Sequence, residues 1–112
     1  MLGLVKEAVD AIKDGEVIIY PTDTLYSFGV DASNNNAIKK LNRIKKRQAP
    51  LSILLESIYD IKKFAFINDK IFEKIKVILP GTFTILLESK QNPHISKLVQ
   101  LDSKLIGIRI ID

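Results

Sequence analysis

The chain has 112 residues, enough for one domain with its own core but small for that purpose. Its 46% apolar and 27% charged content is ordinary for a globular protein, and no run approaches the roughly 20 apolar residues of a membrane span. The absence of cysteine removes disulfides, thiol catalysis and cysteine-held zinc or iron–sulfur sites, and a reducing, cytoplasmic setting is the expectation.

The chain opens on acids and helical periodicity, not on a signal-peptide pattern. Leu4, Val5, Ala8, Val9 and Ile12 recur at helical spacing over 3–14, with Lys6, Asp10 and Lys13 opposite, and Gly15 suits a C-terminal cap. Val17, Ile18, Ile19 and Tyr20 predict a buried strand over 16–20 that stops at Pro21. The loop that follows, Pro21-Thr22-Asp23-Thr24, places two hydroxyls and a carboxylate where the strand leaves the core. A second helix is expected from Asn34 to Lys46, capped by Ser33 or Asn34, with Ala37, Ile38, Leu41 and Ile44 as its buried stripe.

Residues 51–55 read as another buried strand. Ser57 is placed to cap a short helix through Phe64, and Asn68 a longer one bearing Ile71, Phe72, Ile75 and Ile78. Pro80-Gly81 breaks that helix, 82–88 is strand-like, and after a polar stretch containing Pro93 the run 105–111 is apolar again. Helices alternating with short strands predict a single α/β domain over 1–112 with parallel or mixed pairing. In such sheets ligands gather beyond the carboxyl ends of strands, which points to the loop after Tyr20.

Lys39, Lys40, Arg43, Lys45, Lys46 and Arg47 crowd into one acid-free segment. A solvated helix face and a polyphosphate dock fit that segment equally well. Arg109 interrupts the last apolar run, where a charge requires a partner or a ligand unless it points outward from an edge strand. Gly107, two residues earlier, shares its face. No glycine-rich phosphate loop or dinucleotide fingerprint occurs, and Leu79-Pro80-Gly81-Thr82 reads as a turn. His94 stands alone in its loop and reads as surface. Any catalysis here rests on positioning and electrostatics, since no nucleophile–base constellation is visible.

Five segments, in order, resemble the successive motifs of the YrdC-like family, the threonylcarbamoyl-AMP synthases of tRNA modification. They are YPTDTLYSFGVDA (20–32), IKKR (44–47), PLSILL (50–55), LPGTFTILL (79–87) and IGIRI (106–110). The resemblance runs through essentially the whole chain. It implies an α/β fold on a twisted mixed sheet with flanking helices and a positively charged concave site. It also implies nucleotidyl transfer: L-threonine, bicarbonate and ATP, with Mg²⁺, give threonylcarbamoyl-AMP and pyrophosphate. A tRNA threonylcarbamoyl-transfer complex then delivers the group to an adenosine of tRNA. By motif, Thr24 resembles the hydroxyl that contacts the bound threonine, and Arg109 the arginine that meets the threonine end. Lys45 and Arg47, a K-x-R pair, resemble the ATP contacts, and Leu105 falls where backbone meets the nucleotide. No residue is assigned as a covalent catalyst or a metal ligand.

The chain departs from the family pattern in several places. Ser27 stands where a glycine usually follows the tyrosine, Phe28 replaces a leucine, and LPGT stands for WPGP. The segment from Arg47 to Pro50 is shorter than the family habit, with Ala49 where a polar or basic residue is expected. Family members also continue past the G-x-R strand to a Ser-x-Ser-Ala-Asn motif that helps hold ATP, and no Ser-Ala-Asn occurs here. The sequence therefore reads as the N-terminal part of the domain, whether of a longer or split protein or of a reduced relative. An incomplete sheet leaves an open edge, which a homodimer or a complementing chain would cover. Two other readings stay open: a non-catalytic module that binds nucleotide, double-stranded RNA or tRNA through 39–47, and a carbamoyl-transfer domain of the hydrogenase-maturation type.

Overall fold

The computed structural model describes residues 2–22 and 25–111. In chain order the elements are helix α1 (Leu2–Lys13), strands β1 (Ile18–Pro21) and β2 (Tyr26–Gly29), helix α2 (Asn35–Lys45) and strand β3 (Ser52–Leu54). A 3₁₀ turn at Ile58–Asp60 runs into α3 (Ile61–Phe64), followed by α4 (Asp69–Ile78), β4 (Ile85–Glu88), α5 (Lys97–Gln100) and β5 (Leu105–Arg109). Among the described residues no helix is long and apolar enough to cross a membrane.

The sheet is mixed, as the alternation of elements predicts. β5 lies in the centre, parallel to β3 and antiparallel to β4. Register aligns Ile53, Ile108 and Ile85 across the three strands, with Ile106 opposite Leu87 in the next row of the same face. That face carries the core, where Ile38, Ile61, Ile106 and Ile108 are the largest side chains fully removed from solvent. Each such side chain contributes about 1.5–3 kcal/mol by burial. The other face carries Ser52, Leu54, Leu86, Leu105, Gly107 and Arg109, because neighbouring residues of a strand point to opposite sides.

The caps fall where the sequence places them. Asn34 accepts from the Ala37 amide at 3.0 Å, Ser57 from Tyr59 at 3.2 Å and Asn68 from Ile71 at 2.8 Å, each satisfying a donor of the first helical turn. Ahead of α2, the Asp31 carboxylate accepts from the Ser33 hydroxyl at 2.6 Å and from the Ser33 amide at 2.9 Å. Those bonds favour the charged form and hold the Asp31 pKa below its ordinary 3.8. At the far end of α2, Lys46 takes a left-handed φ of 56° and its amide returns to the Arg43 and Asn42 carbonyls. The Ser96 hydroxyl donates to Asn35 and ties α5 to the start of α2.

Three expectations are corrected. Residues 26–29 form β2, a strand absent from the periodicity analysis, paired antiparallel to β1 in a hairpin of its own. Its four residues are too few for a periodic signal, and Gly29 is there because a Cβ would meet the Tyr20 ring at 2.7 Å. On α1, Val5 and Val9 are 58% and 44% exposed, so these two members of the apolar stripe are not buried. On α2, Ala37, Ile38 and Leu41 are buried but Ile44 is half exposed. Periodicity detects an amphipathic face; it does not reveal what covers it.

Ile108→Ala is expected to cost about 2–5 kcal/mol in urea unfolding, while Val5→Ala stays within about 0.5 kcal/mol. Asp31 supplies a pH signature. Its folded-state pKa is lowered, so its contribution is full above the unfolded value and is lost as pH falls through the folded one. The stability advantage of the parent over Ser33→Ala, followed by denaturation at successive pH values, should therefore be present at pH about 6 and fade below about 4.

Candidate functional site

β1 and β2 stand apart from the three-stranded sheet, and a cleft of about 470 Å³ opens between the two. That volume falls in the ordinary range for small-molecule sites. Tyr20, Thr22, Ser27 and Phe28 line it from the hairpin, and Ser52, Leu54, Thr84 and Arg109 from the sheet and its approach. Lys45 reaches in from the last turn of α2, and Val30, Ala32, Ile38 and Leu41 contribute apolar wall. The arrangement follows from strand alternation. Tyr20 and Ser27 are paired in register and half-buried, whereas Ile19, on the other side of β1, is 66% exposed.

Hydroxyls and two cations dominate the polar lining. Arg109 and Lys45 are both half-buried, one on the central strand and one on a helix terminus. Two cations in a concave, partly desolvated site focus positive potential on an entering anion. Thr22 closes the hairpin loop: its amide and hydroxyl donate to the Leu25 carbonyl at 2.9 and 2.5 Å, and the Leu25 amide donates back to that hydroxyl at 3.2 Å. The two residues between them, Asp23 and Thr24, lie outside the described residues, so the Thr24 assignment is framed by its neighbours only.

The structure brings Lys45 and Arg109 together and leaves two other sequence-chosen residues aside. Arg47 is exposed and does not line the cleft; the left-handed turn at Lys46 precedes it. Leu105 is 46% exposed at the start of β5, on the same sheet face as Arg109 but outside the lining. The basic segment is thus divided. Lys45 faces the cleft, while Lys40 is held outside it by Glu16 at 3.9 Å and by the Gly15 carbonyl at 3.4 Å. His94 is exposed, as expected of an isolated loop histidine. A larger depression of about 770 Å³ beside α5 contains Lys39 and Lys97 but none of the motif residues.

Ser52 and Thr84 were not singled out from the sequence, and Ser27 only as a departure from the family's usual glycine. Their only signal is a hydroxyl inside or next to an apolar strand, which by itself reads as tolerated surface polarity. Pairing decides otherwise: Ser52 lies directly opposite Gly107, and a Cβ on Gly107 would meet Ser52 Oγ at 2.8 Å and Thr84 Cγ2 at 3.3 Å. Gly107 therefore allows two side chains to close over the strand next to Arg109.

Residues 10–112 match the family model for Sua5, YciO and YrdC, described as telomere recombination. The chain belongs to the Sua5/YciO/YrdC family. A Methanocaldococcus jannaschii protein provisionally named threonylcarbamoyl-AMP synthase is 41% identical over 103 residues, 90% of this chain and 48% of that protein. The crystal structure of Escherichia coli YciO superposes with a TM-score of 0.87 and 27% identity, over 100% of this chain and 55% of its own. Pyrococcus abyssi Sua5 complexed with L-threonine shares the fold, with a TM-score of 0.84 at 23% identity, over 96% of this chain and 32% of that one. The chain thus spans about half the length of the family member from M. jannaschii, and less of the P. abyssi protein.

Gly107→Ala is expected to destabilise the protein by about 1–3 kcal/mol, because the added methyl must displace Ser52. Adding Ser52→Ala should recover most of that loss. A double-mutant cycle by chemical denaturation measures the coupling.

Proposed function

We propose that the cleft binds L-threonine and ATP, and that the chain contributes to threonylcarbamoyl-AMP synthesis. The observation that carries this reading is the convergence of Lys45 and Arg109, two motif residues far apart in sequence, on one hydroxyl-lined cleft of small-molecule size. Family membership and the naming of relatives as threonylcarbamoyl-AMP synthases support it.

In this reading the threonine amine takes up bicarbonate, losing water, to give a carbamate. A carbamate oxygen then attacks the α-phosphorus of ATP, forming threonylcarbamoyl-AMP as pyrophosphate leaves. Both reactants are anionic, so their approach needs positive charge held in place. Arg109 suits the carboxylate of the amino acid, since a guanidinium pairs with both oxygens. Lys45 suits the phosphates, with Arg47 reached when the nucleotide is bound and Leu105 contributing backbone. Thr24 and the hairpin hydroxyls would read the polar end of the amino acid. Mg²⁺ would enter as the counter-ion of ATP, offsetting the charge of its phosphates. The product is a threonylcarbamoyl donor for a tRNA-modifying partner in the cytoplasm.

A second reading has its own support. Two sequence-chosen nucleotide contacts, Arg47 and Leu105, stand outside the cleft. It describes a half-site that binds the amino acid and needs a complementing chain for ATP.

Titration with L-threonine, serine and no-amino-acid controls, alongside pyrophosphate release from ATP and bicarbonate, tests both. Threonine binding is expected, weakened about tenfold or more by Arg109→Ala and by Thr24→Ala, each of which removes one contact. Threonine-dependent pyrophosphate release selects the synthase. Binding without release selects the half-site, and folded protein that does neither defeats the reading.

A further inference from the structure

The serines divide by location. Ser33, Ser57, Ser89, Ser96 and Ser103 lie outside the cleft, and each hydrogen-bonds to the protein through its hydroxyl. Ser27 and Ser52 line the cleft, and among the described residues neither hydroxyl has a protein partner. No aspartate or glutamate lines the cleft among the described residues, so no carboxylate there competes for these donors. Their acceptor has to come from a ligand or from water.

Ser52 is the better placed of the two. It pairs with Gly107 across β3 and β5, and the next pair on the same face is Leu54 with Arg109. Its oxygen stands 2.8 Å from the place a Gly107 Cβ would occupy, with the Thr84 methyl 3.3 Å from that point on the other side. The missing Cβ thus lets a hydroxyl reach over the central strand beside a guanidinium, within a partly apolar wall.

The donor set selects the ligand. A carboxylate offers about four lone-pair sites, and a guanidinium fork takes the two that lie side by side. The remaining sites point away from the fork, where a lateral hydroxyl meets them. A bond from a neutral donor to an ionised acceptor is among the stronger ones, more so where water is partly excluded.

We propose that Ser52 is a substrate-contacting residue whose hydroxyl donates to a carboxylate held by Arg109. The proposal deepens the threonine reading and rests on it for the identity of the ligand, whereas the subsite itself requires only a carboxylate. Ser52 then helps to distinguish an amino acid from its amide or amine.

Amide-resolved NMR titrations of the parent, Ser52→Ala and Ser52→Cys test this, with L-threonine, L-threoninamide and acetate as probes. The same spectra report whether each variant is folded. L-Threonine is expected to bind Ser52→Ala about tenfold more weakly, since the lost bond is to a charged group. Ser52→Cys keeps the shape but is a weak donor, and should lose a similar factor. L-Threoninamide has no carboxylate and should bind parent and variants within about twofold of one another. Acetate should shift the Ser52, Gly107 and Arg109 amides of the parent, and both variants should lose that response.

An equal loss for threonine and its amide, or a Ser52→Cys protein that binds like the parent, would assign the effect to packing and overturn the proposal. Tight threonine binding that ignores Ser52 would overturn it too, and leave the threonine reading standing. A Ser52-dependent acetate response with no preference for threonine would do the reverse. A parent that binds none of the three probes defeats both.

Discussion

β5 serves two sides of the molecule at once, and the rest of the structure depends on how its residues alternate. Ile106 and Ile108 point into the core, where they are 1% and 0% exposed, while Gly107 and Arg109 point to the cleft. A strand permits this because successive side chains emerge on opposite faces. Hydrophobic burial on one face fixes the register of β3 and β4 against β5, since a one-residue slip would drive Arg109 into the core and the isoleucines into water. The guanidinium is therefore held in place by packing that occurs on the other side of the sheet.

The second cation is positioned by an independent device. Asn34 starts α2 and the left-handed Lys46 ends it, so the length of the helix is set at both ends. Ala37, Ile38 and Leu41 orient it against the sheet, and Lys45 then falls at the mouth of the cleft. A cation in the last helical turn is also favoured by the partial negative charge of the exposed carbonyls there. Two rigid elements with separate anchors thus bring two charges to one site, the arrangement that electrostatic stabilisation of an anionic reaction requires.

The hairpin provides the opposing wall with little support of its own. Ile19, Leu25 and Tyr26 are 66%, 78% and 76% exposed, and among the described residues β1 and β2 pair only with each other. Elements with few buried contacts open at low free energy. Thr22 and Ser27 sit on this less stable wall, and the arginine on the stable one. Such a division suits a site in which one side adjusts to its ligand while the other defines its position.

The sequence by itself determined the Asn34, Ser57 and Asn68 caps, the helices and strands after residue 30 other than α5, the mixed α/β class and the two cations that line the cleft. Each of these depends on local spacing: Asn34, Ser57 and Asn68 bond to amides two or three residues away, and the isoleucines of β3 and β5 carry their own β preference. Ordered motifs supplied the family and pointed to Arg109 and Lys45. Tertiary structure alone decided that β2 exists, that Ser27, Ser52 and Thr84 face the cleft, and that Arg47 does not. It also left Val5, Val9 and Ile44 uncovered despite their helical spacing. The physical reason is the same in every case. Which face of an element is buried depends on partners distant in the chain, and local sequence encodes only that an element has two faces.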